Sequence, residues 1–441
     1  MSRSKIFSFI VQMSSILILV LYPVLVYAST VSDTDCTAEF DSGTDSDTQC
    51  SSGQVELDAT GKTNGSGNFT SRIFNGGSSL TWSTIAWTPY QPYMKELPDS
   101  KAIESAYGVG NLNMTNNLLL LHLNESSGAT SFTDSSGSLN TGSCDNGSGK
   151  CPTVTTSGKF NNAFTFDGGN DEIQLASQAV SSLIGAQFTI AFWFNPGGTQ
   201  DRPTFGFAGS GSANKSNPVA SYDSFINIGN GSSWQLLTAF PDAAINTWTH
   251  YALVDDGSDY VAYVNGIEVS RDPISVNPTS ATNRVFTIGE SGFSAALAQW
   301  TAGSFDEFVI FSEGLAGDDI LAMYKRGANL LKFQVRSCDD GACSGENFIG
   351  PDGSTGTYYS ELTDASNALP SKTLSNVLDN QYFQYKAFLE TSSTTLTPAL
   401  LDVTITYASS IGVPEFSDGV YVATMLFVIF YIAQRKEKIF Q

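Results

Sequence analysis

Apolar and polar positions alternate along this chain with a period of two, and the pattern is sharpest in WTHYALVDDGSDYVAYVNG, from Trp248 to Gly266. Over Trp248 to Val254, Trp248, His250, Ala252 and Val254 share one strand face, and Thr249, Tyr251 and Leu253 share the other. Asp255-Asp256-Gly257-Ser258 predicts a turn, because Asp and Gly accept turn geometry. A second strand, Tyr260 to Val264, runs into Asn265-Gly266, a dipeptide suited to a type I′ hairpin with both central residues at positive φ. A third strand starts at Ile267. Both faces of this meander are mostly apolar, which predicts a place inside a sheet-on-sheet core.

Order is expected from Gly53 to Leu57, from Gly67 to Phe74 and from Trp82 to Trp87, ending where Pro89, Pro92 and Pro98 interrupt the pattern. Three short strands cannot bury a core alone. Alternation returns in Leu331 to Ser337, Tyr382 to Leu389 and Leu401 to Tyr407. The two flanks, 53–98 and 331–408, are therefore expected to build one β-sandwich around whatever lies between them. Two independent flanking modules are the alternative.

The ends read as sorting elements. Residues 1–28 have the layout of a secretion signal: Arg3 and Lys5, an apolar stretch through Ile16 to Leu21, and Val26-Tyr27-Ala28 before a cleavage point. An uncleaved anchor helix is the alternative. Residues 29–52, rich in Ser, Thr and Asp, are expected to be a flexible lead. At the other end, Val413-Pro414-Glu415-Phe416 precedes an apolar run from Val420 to Ala433 and a basic tail, Arg435-Lys436-Glu437-Lys438. That run is shorter than the about 20 residues of a comfortable span, and its basic end belongs on the cytoplasmic side.

Composition narrows the partners. With Lys+Arg 21 against Asp+Glu 43, the net charge is −22, so the chain repels phosphate backbones and nucleic-acid binding is not expected. The cysteines fall into local pairs, Cys36 with Cys50, Cys144 with Cys151 and Cys338 with Cys343, and there are only 2 histidines. Zinc is not expected on that basis; short-range disulfides of an oxidising compartment are, with nearest-neighbour pairing preferred among the connectivities that remain open.

The meander resembles the laminin-G-like jelly roll of the concanavalin A-like family. So do Phe164-Thr165-Phe166-Asp167-Gly168, FTIAFWF from Phe188 to Phe194, Ile288-Gly289, and SFDEFVIF from Ser304 to Phe311. The resemblance covers roughly 117–328. It implies an all-β fold, a jelly roll inserted into or flanked by the smaller sandwich. Jelly-roll termini usually lie close together, so insertion is physically reasonable. The flanks resemble the small β-sandwich of bacterial and archaeal surface proteins, through Phe69-Thr70-Ser71-Arg72 and Phe333-Gln334-Val335-Arg336-Ser337. Residues 413–441 resemble exosortase and archaeosortase sorting signals, with a plain tail anchor as the other reading.

Concanavalin A-like glucanases carry Glu-x-Asp-x-x-Glu, and no such triplet occurs here. Asp171-Glu172 and Asp306-Glu307 are adjacent carboxylates, which in a regular strand point to opposite faces. His250 and His122 sit in strand patterns and are expected to be packed rather than catalytic. The family resemblance implies one structural Ca²⁺, a hard cation wanting six to eight oxygens, at Glu125, Asp134 and Asp306. Trp234, Trp300, Tyr222 and Phe293 lie in predicted loops or strand ends and are the candidates for stacking on a sugar. Sequons such as Asn68, Asn113, Asn124, Asn146, Asn214 and Asn230 matter only in a glycosylating host. The expectation is a secreted, surface-anchored, non-enzymatic protein that binds glycans or surface partners. A surface-layer or appendage component and a glycoside hydrolase are the alternatives, between which fold alone does not decide.

Overall fold

The computed structural model describes residues 26–175, 187–198, 203–208, 219–222, 225–238, 240–278, 285–290, 300–362 and 367–410. The C-terminal segment 413–441, most of the leader and Phe293 lie outside the described residues.

The alternating middle of the chain forms two eight-stranded antiparallel sheets packed face to face, a concanavalin A-like jelly roll. One sheet runs Thr153–Thr155, Ala163–Asp167, Ala302–Phe311, Phe188–Pro196, Thr249–Asp255, Asp259–Val264, Ile267–Pro273, with Asn117–Leu121 also paired to Ala302–Phe311. The other runs Trp234–Thr238, Phe225–Gly229, Val219–Tyr222, Phe205–Ala208, Val285–Ile288, Ile173–Leu175, Gly142–Ser143, Ser131–Phe132. The hairpin forms as its sequence predicts: Asn265 and Gly266 have φ of 51° and 75°, and Val264 pairs with Ile267. Between the sheets, Phe192 stacks on Phe308 at 5.3 Å and meets Phe205, Phe305 and Tyr251.

Every residue of Thr249–Asp255 is buried, because its outer face is covered as well. Ala252 and Val254 pack with Val261, Val309 and Phe311 under Ile320 and Met323 of the helix Gly317–Ala328. That helix carries Asp318 and Asp319 in its first turn and Lys325 and Arg326 in its last, the polarity its dipole favours.

Strands from the two ends of the chain share an eleven-stranded sheet. Phe74–Pro89 pairs with Asn380–Thr391 through its first residues and with Ala399–Ser410 through the rest. Asn380–Thr391 in turn pairs with Ser66–Thr70 and Asn329–Cys338. Phe69, Trp82, Ile85, Trp87, Phe333, Val335, Tyr385, Leu389, Val403 and Ile405 all fall in one buried cluster, where Phe74 takes the place expected of half-buried Ile73.

The expected flexible lead over 29–52 is instead built into this sheet. Val26–Asp33 pairs along its length with Ala399–Ser410, Thr44–Ser46 with Ser66–Thr70, and Thr48–Ser51 with Gln54–Leu57. Tertiary contacts supply what composition lacks. Phe40 is buried against Phe69, and Asp33 accepts from Arg72 Nε and from the Tyr385 hydroxyl, both at 2.8 Å. The three disulfides join nearest neighbours, Cys36–Cys50, Cys144–Cys151 and Cys338–Cys343.

Without residues 53–98, Asn380–Thr391 and Ala399–Ser410 lose the strand that lies between them. Residues 331–408 expressed alone are therefore expected to aggregate through open edges and to show no cooperative transition by calorimetry. A cooperative melt from that fragment would make the flanks separate modules.

Candidate functional site

The carboxylates proposed for Ca²⁺ hold backbone amides. Asp134 Oδ1 accepts from the amides of Leu120 (3.0 Å) and Ser136 (2.9 Å), and Oδ2 from that of Asn140 (2.7 Å). Glu125 Oε1 accepts from Thr133 N at 2.7 Å. Asp306 Oδ2 accepts from the amides of Lys159 (2.6 Å) and Phe160 (2.9 Å). Among the described residues the three do not fall in one cluster of acidic side chains, and Glu125 Oε2 and Asp306 Oδ1 are buried without a hydrogen-bond partner.

Asp306 and Glu307 depart from regular alternation. Ala191 pairs with Val309 but Trp193 with Asp306, so the strand Ala302–Phe311 carries an extra residue there. Glu307 sits at φ 50°, uncommon for a residue other than glycine, and makes a β-bulge. Both carboxylates consequently reach the layer that covers the sheet, against the expectation of opposite faces. Glu307 Oε2 accepts from Leu97 N at 3.0 Å, and its Oε1 faces His122 Nδ1.

His122 is thus an ion-paired residue rather than an apolar-face one. Its Nε2 donates to Asp99 at 2.9 Å, and Glu96 lies in the same cluster. Burial alone would lower its pKa; Glu307, Asp99 and Glu96 outweigh that and hold the ring charged, well above the ordinary histidine value. His250 is the opposite case. Buried beside the Trp193 ring (5.2 Å), it is pushed down to about 3 by desolvation and stays neutral.

A second buried network joins this layer to the eleven-stranded sheet. Arg326 forks onto Glu104 and donates to the carbonyl of Glu96 at 3.0 Å. Glu361 accepts from Tyr93 N (2.8 Å) and the Tyr107 hydroxyl (2.6 Å), and burial raises its pKa to about 7. The sequence reading missed both pairs, since partners 222 and 254 residues apart leave no local signal.

It also missed the pairing of Glu172 with Glu290, which are hydrogen-bonded side chain to side chain, with Lys150 Nζ at 2.8 Å from Glu172. Burial and then Glu172 raise Glu290 to about 7.

Of the four candidate aromatics, the three among the described residues do not converge. Trp234 starts the edge strand Trp234–Thr238 and is 40% exposed, beside Leu236 at 37% on the same face. Tyr222 pairs with Phe225, whereas Trp234 pairs with Gly229, at opposite ends of the neighbouring strand. Half-buried Trp300 bridges Glu290, just beyond Val285–Ile288.

An open cleft of ≈370 Å³ lies at one end of the other sheet, lined by Thr165, Asn195, Pro196, Asn246, Gly303 and Ser304 among others. Residues 167–321 match the family model of the concanavalin A-like lectin/glucanase superfamily. No curated protein matches the chain. Among solved structures, domain 4 of AbnA, an extracellular GH43 arabinanase from Geobacillus stearothermophilus, in complex with arabinotriose, is 17% identical. It covers 47% of this chain and 98% of that one, with a TM-score of 0.37. The binding domain of botulinum neurotoxin DC in complex with rat synaptotagmin II is 15% identical over 51% of this chain and 58% of that one, TM-score 0.36. Trypanosoma rangeli sialidase is 13% identical over 48% and 33%, TM-score 0.34.

Asp134→Ala is expected to destabilise the concanavalin A-like jelly roll by roughly 1–3 kcal/mol for each buried amide left without an acceptor. The loss should be the same with and without EDTA; a loss confined to Ca²⁺-containing buffer would give Asp134 to a metal.

The raised pKa values set a pH dependence. Glu290 and Glu361, raised to about 7, contribute stability below the ordinary glutamate range that is lost as pH climbs towards 7. The His122 contribution is full below 6.5 and is lost as pH rises through its higher folded value. The melting temperature should therefore be higher at pH 5 than at pH 8. His122→Gln should flatten the part of the decline above pH 6.5, as read by a fluorescence melt across that range.

Proposed function

We propose that this is a secreted, surface-anchored, non-catalytic protein that presents its jelly roll to glycans or to surface partners. The observation that carries the reading is the exposed Trp234–Leu236 face on an edge strand: a large aromatic left in water is a stacking platform rather than a core residue. The carboxylates argue the same way. Retaining glycosidases need two carboxyl groups about 5–5.5 Å apart and inverting ones about 6.5–9.5 Å, with sugar or water between them. Glu172 and Glu290 bond each other directly, Asp306 Oδ2 holds two backbone amides, and Glu307 holds Leu97 N and His122.

Three disulfides suit an oxidising, extracellular setting. The leader and the apolar tail belong to the proposal as export and attachment signals. Val26 pairs with Ser410, so the two segments join the folded part side by side. Cleavage after Ala28 would leave Ser29 to Asp33 to hold Tyr407 to Val403.

A structural, assembly role is the second reading. It is favoured by the edge strand Ile267–Pro273, where Ile267 is 67% and Val269 44% exposed, an open ladder for a neighbouring chain.

Both readings meet in one experiment. Deleting 413–441 should release the protein into the medium, and the released protein is then screened on a glycan array. Capture of any glycan supports the binding role, and a fall of at least tenfold in Trp234→Ala for one of them assigns it to the Trp234 face. Retention of the truncated protein by cells would sink the anchor. Released protein that ignores every glycan but forms oligomers would shift the case to assembly.

A further inference from the structure

We propose that the cleft at the end of the strands Ala163–Asp167, Phe188–Pro196 and Ala302–Phe311 is a second binding site, for the neutral end of a saccharide. The proposal rests on the binding role argued above but not on the Trp234 face, which belongs to the other sheet.

The volume, ≈370 Å³, lies within the small-molecule range of about 300–1,000 Å³. None of the lining residues is titratable, so the cleft has no charge with which to hold an ion or to transfer a proton. What it offers is a mixed set of neutral donors and acceptors. Thr165 and Ser304 face each other across neighbouring strands with their hydroxyls 2.7 Å apart, which uses one donor and leaves the other free.

The two carboxamides carry the inference furthest. Asn195 lines the cleft with its Oδ1 buried and without a hydrogen-bond partner. Nearly all buried polar atoms in folded proteins are partnered, so this acceptor is free to take a donor once the side chain turns towards the cleft. Asn246 stands on the loop before Thr249–Asp255, fixed at φ 56° with its backbone N–H on the Pro196 carbonyl at 3.0 Å. Its position at the rim is therefore set by the backbone, and its side chain is not needed to hold the loop.

Sugar hydroxyls both donate and accept, and they match hydroxyl-plus-carboxamide linings without any charge. Acidic glycans do not fit. The chain carries −22, and a carboxylate or sulfate entering here would meet no cation among the lining residues.

The test uses the full-length protein in detergent on an array of neutral and of sialylated or sulfated oligosaccharides. Ser304→Trp fills the cleft. Asn246→Gly removes the carboxamide while keeping a residue that accepts positive φ. Capture of at least one neutral glycan is expected to fall tenfold or more in both variants, to persist in Trp234→Ala, and to be matched by no acidic glycan. An unchanged melting temperature of Asn246→Gly keeps that result independent of folding. Neutral capture that survives both cleft variants but is lost in Trp234→Ala overturns the cleft and leaves the binding role standing. Capture of acidic glycans alone overturns the proposed ligand class. An array blank for the wild type overturns both.

Discussion

The buried guanidinium of Arg326 is the interaction on which the arrangement of the molecule depends. It closes the helix Gly317–Ala328, the last element of the jelly roll, and takes Glu104 in a two-pronged pair while donating to a backbone carbonyl of the incoming connector. Met94 N donates back to the Arg326 carbonyl at 2.7 Å, so connector and helix are held in both directions. A pair buried this deeply gains little over an apolar substitute, yet breaking it by removing one partner costs about 3–5 kcal/mol. Its contribution is therefore geometric. It allows only one seating of the jelly roll's exit against the chain that entered it.

Charge follows from that seating. The connector brings Glu96 and Asp99 over the sheet, where the bulge at Glu307 already presents a carboxylate to the same layer. Several acids under one roof repel unless a cation sits among them, and the charged ring of His122 supplies it. Lys159, lowered to about 8 by burial and lying over the Trp193 ring at 4.7 Å, is a further cation of this layer beside Arg326. The carboxylates that attract attention in the sequence are thus consumed by folding.

What the sequence reveals here is what local geometry decides. The Asn265-Gly266 hairpin, the two-faced strand Thr249–Asp255 and the nearest-neighbour disulfides each depend on residues within a few positions of one another. The long-range features left no such trace. Nothing near Glu307 marks it for positive φ, because the bulge arises from the register of Ala302–Phe311 against Phe188–Pro196. Glu172 meets Glu290, and Glu104 meets Arg326, only after the sheets have closed. Residues 29–52 read as structureless because their strands are polar and at sheet edges; Thr44–Ser46 is exposed throughout and is ordered by pairing with Ser66–Thr70 and by the Thr48 hydroxyl on Asp45. The aromatics were legible as candidates but not as a set, since which end of a strand each occupies is again a matter of register.

The same covering layer decides where this jelly roll can meet a partner. A sandwich of this kind ordinarily leaves the outer face of at least one sheet in water. Here the helix Gly317–Ala328 and the connector bury the outer face of the sheet built on Thr249–Asp255, with Ala252, Val254, Val309 and Phe311 beneath them. A ligand cannot lie across those strands without displacing the contacts that hold the helix in place. What remains of that sheet is its far edge, Ile267–Pro273, and its end, where Thr165, Asn195 and Ser304 open into the cleft. The other sheet still offers the edge strand with Trp234. Under the proposed binding role, contact with this sheet is thereby left to its edge and its end, where no charged side chain lines the cleft.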